Sequence, residues 1–350
     1  MKQGKINKPA FENIFTGFVG EHRDQVLTGP AFGVDVAVID LGGNQAIAAT
    51  SDPLSYIPSL GLRESAWLSV HLIANDMATT GFGPQFAQFV LNLPADIPEN
   101  DFITFWRYIH QFCKECAVSI TGGHTAFVEG LESTLAGGGT FFTVAEKSRI
   151  LTSDKAEAGN LILMTKEAAI SSMSILARSF PDKVSRELGP EILDAGRDLF
   201  DCTTALAEGL IAGRLNQVEP VVTAMHDVTE GGVLGAVYEM AEASGNGVIL
   251  YEQEIAVGKA VREIAGLFSL DPLYCIGAGS MLMAVEKGKE SSLIRELAES
   301  GIQSGIIGQL IPAREGRSIV TRERKSVSLN YPEKDPYWDA FYQALNEHWH

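Results

Sequence analysis

The sequence has little cysteine: four in 350 residues, Cys113, Cys116, Cys202 and Cys275. That is too few for a disulfide-built scaffold at this length. It is also short of basic residues, with 27 Lys and Arg against 44 Asp and Glu and a net charge of −17. This balance argues against nucleic acid or an anionic membrane as the main partner, since both demand basic surface. No apolar run approaches the roughly 18 residues of a membrane span. The opening "MKQGKINKPAFENIF" has no apolar core that would serve as a signal peptide, so a cytoplasmic protein is expected. No internal repeat and no low-complexity segment is visible. No Ser/His/Asp or Cys/His arrangement suggests a side-chain nucleophile. The lone Cys113-Lys-Glu-Cys116 pair has no second pair, so buried helix cysteines are expected there rather than zinc ligands.

What is present describes an ordinary globular protein, 45% hydrophobic and 20% charged. Its length is large for one core, so two domains are expected. The 35 glycines against 14 prolines point to tight turns and close backbone approaches. "GVDVAVIDL" and "NQAIAATSD" read as strands, "RESAWLSVHLIANDMATTG" as a helix closed by Gly81, and "PQFAQFVLNLP" as a strand. "NDFITFWRYIHQFCKECA" reads as a second helix, and "SITGGHT" as a strand breaking into a loop. The polar stretch "TSDKAEAGN" marks a seam, which gives domains over 1–155 and 156–350. Beyond it, "AGRDLFDCTTALAEGLIA" reads as one long helix, followed by the strand "VEPVVTAMHD", a helix starting at "EGG", and an aromatic tail helix. The fold class expected is α/β (α+β).

Four aspartates sit in apolar surroundings. Asp35 lies between Val34 and Val36 in a strand-like run, where an unpaired buried carboxylate costs several kcal/mol. Asp52 ends a strand before Pro53, Asp76 lies inside a helix beside Ile73 and Met77, and Asp227 follows an apolar strand. Each has a simpler reading as a turn residue, a wet helix face or an N-cap. Together they suggest carboxylates converging from separate segments, as hard cations such as Mg²⁺ require beside phosphate oxygens. Two glycine signals point the same way. Gly122-Gly123-His124-Thr125 follows a strand, and Thr229-Glu230-Gly231-Gly232 opens a helix; both can present backbone N–H groups to an anion. Gly137-Gly138-Gly139 is expected to allow close packing in a strand. His226 ends an apolar strand and reads as structural.

With these motifs assembled, the sequence resembles the superfamily of aminoimidazole ribonucleotide (AIR) synthetase, selenophosphate synthetase and thiamine-monophosphate kinase. It is most similar to the branch of the hydrogenase expression/formation protein that dehydrates a carbamoyl group. The matching stretches are "GVDVAVID" at 33–40, "SDP" at 51–53, "ANDMATTGFGP" at 74–84, "GGHT" at 122–125 and "HDVTEGG" at 226–232, in the family's order. The resemblance implies an AIR-synthase-like fold: an N-terminal α/β domain with a β-rich dimer interface, a C-terminal α/β domain, and ATP in the cleft. It implies that Asp35, Asp52 and Asp76 hold Mg²⁺ on the ATP phosphates, with Asn75, Gly123, His124 and Thr125 near the nucleotide. Asp227, Thr229, Glu230, Gly231 and Gly232 would close the site from the second domain, with Asp227 and His124 as catalytic candidates. It further implies a homodimer.

Departures from the family limit the reading. The hydrogenase maturation branch carries its substrate group on a C-terminal cysteine, whereas this sequence ends "QALNEHWH" with Cys275 as its last cysteine. The self-modifying form of that reaction is therefore not expected. Selenophosphate synthetases carry a reactive cysteine or selenocysteine near the N-terminus, and none stands here. Val34 replaces a second acid, and His124 replaces an acid found in several branches. That histidine either bonds phosphate or shuttles a proton, or it is a neutral residue satisfied by backbone. The function expected is an ATP- and Mg²⁺-dependent enzyme that phosphorylates or dehydrates a small acceptor or a partner-borne group. The alternatives are a nucleotide-binding scaffold without catalysis and a thiamine-monophosphate-type kinase.

Overall fold

Alternating apolar residues build the first sheet. In "FAQFVLNLP", Ala87, Phe89, Leu91 and Leu93 are buried while Gln88 and Val90 are exposed, the period of a strand with one covered face. The structure, a computed structural model, describes residues 5–54, 56–130 and 136–350. Its first part runs α1 (Lys8–Phe15), β1 (Val26–Thr28), β2 (Ala37–Gly42), β3 (Gln45–Pro53), α2 (Leu62–Ala78), β4 (Phe86–Pro94), α3 (Glu99–Glu115), β5 (Ser119–Val128) and β6 (Ala136–Glu146). The strand order is β1-β2-β3-β6-β4-β5. All neighbours are antiparallel except β4 and β5. Helices α2 and α3 cover the inner face, and Ile73, Met77, Phe105 and Phe112 from them meet Phe89, Leu91 and Phe141 from the sheet. Cys113 and Cys116 are packed into this core, where burial pushes their thiols up to about 12 and about 11.

The second part continues with β7 (Leu161–Thr165), α4 (Ile170–Ser179), α5 (Pro181–Leu188), α6 (Pro190–Asp198), α7 (Leu206–Val218), β8 (Val222–Asp227) and α8 (Gly232–Ala243). It then adds β9 (Gly247–Tyr251), α9 (Lys259–Leu267), β10 (Met281–Val285), α10 (Glu290–Glu299), β11 (Ser304–Ile311), β12 (Arg317–Val320), β13 (Ser326–Ser328) and α11 (Pro336–Asn346). Its sheet has the order β13-β12-β9-β11-β7-β10-β8. Every residue of "MLMAV" in β10 is buried, because helices pack on both faces of the sheet's centre. The aromatic tail forms α11, with the Phe341 ring tilted against Phe180.

The structure differs from the sequence expectations in three places. Asp35 lies just before β2, not within a strand. The "GGHT" stretch is not a loop: β5 runs through it to Val128, after an irregularity at Thr121, paired with β4. The long helix expected over 195–212 is broken between α6 and α7. Thr203 turns its hydroxyl back to Phe200 O, accepts the Trp67 indole N–H, and gives its own carbonyl to Asn75. Tertiary hydrogen bonds here outweigh the helical pattern.

Candidate active site at the seam of the two domains

Strand β8 ends in His226 and Asp227, both fully buried, and it delivers them to the edge of the first domain. Asp35 arrives on the extended lead-in to β2. Its Oδ2 lies 2.8 Å from His226 Nδ1, and Asp227 Oδ1 lies 4.0 Å from the same nitrogen. On the other side of the ring, His226 Nε2 is 3.0 Å from Glu239 Oε2, on α8. Glu239 also accepts from the Lys5 ammonium at 2.8 Å and from the Tyr331 hydroxyl at 2.7 Å. Lys5 donates its backbone N–H to Glu230 at 2.5 Å. The cluster thus joins the N-terminal segment, both domains and the segment before α11.

Asp76 projects from α2 into the same field, and its Oδ2 accepts from the Thr50 hydroxyl at 2.8 Å. Burial comes first among the causes that push the Asp76 carboxyl well above its ordinary range, followed by the charges of Asp227, Asp52 and Asp35. Asp227 is pushed up to about 8 by burial and then by Asp35, against the pull of His226 and Lys5. Asp52 reaches about 6 through burial, with Lys5 opposing. Burial would lower His226, yet Asp35 and Glu239 outweigh it and lift the imidazole to about 10. Burial would likewise raise Glu239, but Lys5 and His226 bring it down to about 2. Carboxylates that disfavour one another's ionisation so strongly need an external cation to be charged together. Asp227 Oδ2 is buried with no hydrogen-bond partner, a cost of about 1–3 kcal/mol that a bound cation would remove. Among the described residues, Asp35, His226 and Asp227 bring ligand atoms within 4.8 Å of one another, and Asp52 and Asp76 couple to them through charge; carboxylate oxygens of this kind suit a hard divalent ion.

The remaining candidates are placed differently. Both amide groups of Asn75 are engaged, Nδ2 with Thr203 O at 3.0 Å and Oδ1 with the Ala205 N–H at 2.7 Å. It ties α2 to the turn before α7. Gly123 pairs with Phe89, which pairs with Gly139, which pairs with Asp52. Gly123 is thus three strands from Asp52, roughly 14 Å across the sheet. A Cβ there would stand 1.8 Å from Phe89 O, so close strand contact alone demands glycine. Gly137 and Gly139 meet the same constraint, against Val90 O and Ile73. His124 and Thr125 are exposed on β5. His124 sits beside Val90, so it lies on the sheet's outer face, away from the acidic cluster.

At the start of α8, Thr229 and Glu230 are half-buried and Gly231 and Gly232 buried. The anion at this helix N-terminus is internal: Asp335 Oδ2 accepts from Gly231 N–H at 2.9 Å. The same carboxyl caps α11 through Tyr337 N–H. Gly232 has φ +64°, and a Cβ would lie 2.4 Å from Leu273 O. The paired glycines thus answer to a left-handed turn and to contact with the 273–275 segment. Sequence reasoning missed Lys5, Thr50, Glu239, Tyr331 and Asp335. A signal existed for Glu239, an acid between Ala236 and Met240 on the apolar side of its helix.

Comparison with known proteins shows the family and the fold. Residues 33–142 match the N-terminal domain, and 157–321 the C-terminal domain, of AIR synthase related protein. The chain belongs to the AIR synthase related family. It is 25% identical over 346 residues to the carbamoyl dehydratase HypE of Escherichia coli, covering 95% of this chain and 94% of that one. It is 26% identical over 322 residues to a selenide, water dikinase of Methanococcus maripaludis, covering 88% and 92%. Among solved structures, E. coli HypE superposes with a TM-score of 0.70 at 22% identity, covering 86% of this chain and 92% of that one. AaThiL complexed with AMPPCP and TMP superposes at 0.68 and 14% identity, covering 88% and 92%. Family members thus share this two-domain mixed α/β fold.

Proposed function

We propose that this chain is an ATP- and Mg²⁺-dependent enzyme that phosphorylates or dehydrates a small acceptor, or a group borne by a partner protein. The observation that carries it is the convergence of Asp35, Asp52, Asp76 and Asp227 from both domains around a carboxylate oxygen without a partner. The names of its relatives support the reading: a carbamoyl dehydratase, a selenide, water dikinase, and HypE solved in complex with ATP. Asp35, Asp52 and Asp76 would hold Mg²⁺, and bound Mg²⁺ supplies neutralisation of charge on phosphoryl oxygens. The chain's own groups would then position the reactants. Lys5 and His226 hold Glu239 and Asp35 in place, and Thr50 orients Asp76. Asp227, at the end of β8, is the catalytic candidate of the second domain. Replacing Asp76 by Asn should abolish ATP turnover; undiminished turnover removes the metal assignment.

A second reading, a nucleotide-binding scaffold, draws on the internal carboxylate of Asp335 at the α8 N-terminus and on the distance of His124 from the cluster. It predicts ATP binding without turnover in the presence of any acceptor. Homodimerisation is proposed through the outer face of the first sheet, where Ile39, Leu41, Val90 and Val128 are exposed and β5 is an open edge. His124 would lie within that interface. Among the described residues no helix is long and apolar enough to cross a membrane, and a cytoplasmic location is proposed.

A further inference from the structure

Among the described residues, no strand pairs with the outer edge of β13, which closes one side of the second sheet. Its three residues are exposed, and Val327 stands opposite Ile319 of β12. Leu329 N–H donates to Arg317 O, and Thr321 N–H to Lys325 O. Bonded and unbonded residues alternate along an antiparallel pair. Val327 therefore turns its main-chain groups to β12, while Ser326 and Ser328 turn theirs outward. Edges are ordinarily closed by a charge, a proline or a bulge; β13 reads Ser-Val-Ser in unbroken register and has none of these. The C-terminal tail is held elsewhere, with His350 O accepting from Lys183 N–H and Trp349 against Phe180. Beside the edge lies a groove of about 290 Å³, lined by Leu234, Leu273, Tyr274, Ile319, Val327 and Tyr331. Its two acids are engaged, Glu252 with Arg322 at 3.2 Å and Asp271 with Leu273 N–H. The approach to β13 is cationic: five of the chain's 27 basic residues fall within 314–325, against two acids, in a chain of net charge −17. Arg317 and Arg322 are paired with Glu242 and Glu252. Arg324 and Lys325, exposed in the turn that enters β13, have no ion pair among the described residues.

We propose that β13 is a docking edge, on which an extended acidic segment of a partner protein adds as a further strand. The segment pairs its main chain with Ser326 and Ser328, sets an apolar side chain in the groove, and places carboxylates against Arg324 and Lys325. Main-chain bonds supply the affinity, while the groove and the two cations select the sequence. Charge decides between occupants. A basic segment meets the two cations with repulsion, and a second copy of this edge brings the same cationic turn rather than an acidic strand. The surface goes beyond the function proposed above and does not depend on it. It does sit on the stretch of chain that reaches the seam: Tyr331, three residues after Ser328, donates its hydroxyl to Glu239.

The test is selection of short random peptides displayed on phage against the full chain, with the enriched sequences then made as fluorescent peptides and titrated by anisotropy. Enriched peptides should alternate apolar and polar residues and carry Asp or Glu, and their binding should weaken as salt is raised. Hydrogen exchange on the wild type should show the Ser326 and Ser328 amides protected when peptide is added. Ser328→Pro removes an outward N–H and leaves the bonds to β12 in place, a substitution that edge strands accept; it should weaken the peptide at least about tenfold. Arg324→Glu combined with Lys325→Glu should weaken it by about tenfold at low salt. Both variants should keep the wild-type unfolding midpoint, and if the proline variant fails to fold, the charge variant and the protection pattern decide. Several results would overturn the proposal: no enriched peptide, enrichment of basic peptides, or peptides that bind both variants as tightly as the wild type. Self-association that Ser328→Pro abolishes would overturn it in favour of a second copy. Binding to anionic lipid vesicles without binding to any peptide would overturn it in favour of a membrane surface.

Discussion

Raising the pH on the metal-free chain tests the electrostatics of the seam. Asp227 has its carboxyl near 8 in the fold, against 3.8 ordinarily. The folded chain therefore holds a proton that the unfolded chain releases above pH 4. Stability from this group is present at low pH, declines as pH rises through 4 to 8, and is gone above 8. From pH 6 to pH 8 the interval is about two units, or about 3 kcal/mol at 1.36 kcal/mol per unit. His226 acts with the same sign. Its imidazole is raised to about 10, so its contribution is complete below about 6.5 and is lost as pH climbs through 10. Urea unfolding followed by the fluorescence of the four tryptophans, in EDTA, should show the midpoint falling by roughly 1.5 M between pH 6 and 8 from the two groups together, for a slope near 3 kcal/mol per molar. Asp227→Asn should remove much of that slope, and saturating divalent ion should flatten it by neutralising the carboxylate. A midpoint that is constant or rises from pH 6 to 8 would refute the reasoning.

Other predictions concern packing and assembly. Gly232→Ala places a Cβ 2.4 Å from Leu273 O at φ +64° and should cost about 2–4 kcal/mol in the same urea assay; unchanged stability with lost ATP binding would return the glycine to a ligand role. Asn75→Ala strands the Thr203 carbonyl and the Ala205 N–H in the interior, so a loss of about 2–4 kcal/mol is expected, measured by thermal or urea unfolding. Val90→Asp, at a position 43% exposed on the outer face, should leave the fold intact and shift sedimentation from dimer to monomer; a wild type that sediments as a monomer at micromolar concentration would contradict the interface.

Much of this arrangement was legible in the sequence, because its signals were local. Period-2 alternation placed β4, helical spacing placed α2, and aspartates in apolar settings marked the carboxylates gathered at the seam. What the sequence concealed depends on contacts between distant segments. Lys5 reaches Glu239 across 234 residues, and no local pattern announces that pairing. The helix expected over 195–212 breaks because Asn75 and Trp67 capture Thr203, again a partner more than a hundred residues away. The glycines of "GGHT" and "TEGG" were read as room for an anion. At Gly123 and Gly232 the structure shows backbone carbonyls where a Cβ would stand, a requirement that sequence alone cannot distinguish from phosphate binding. The same holds for Asp335, whose place before Pro336 announces a helix cap but not its bond to Gly231.

The most direct test of the proposed function is calorimetric titration of ATP in Mg²⁺ into the wild type and Asp76→Asn, with circular dichroism confirming that both are folded. Binding by the wild type and its loss in the variant is the predicted result. Equal binding by both would contradict the assignment of the carboxylate cluster to the nucleotide's cation. Binding by neither would contradict ATP dependence itself.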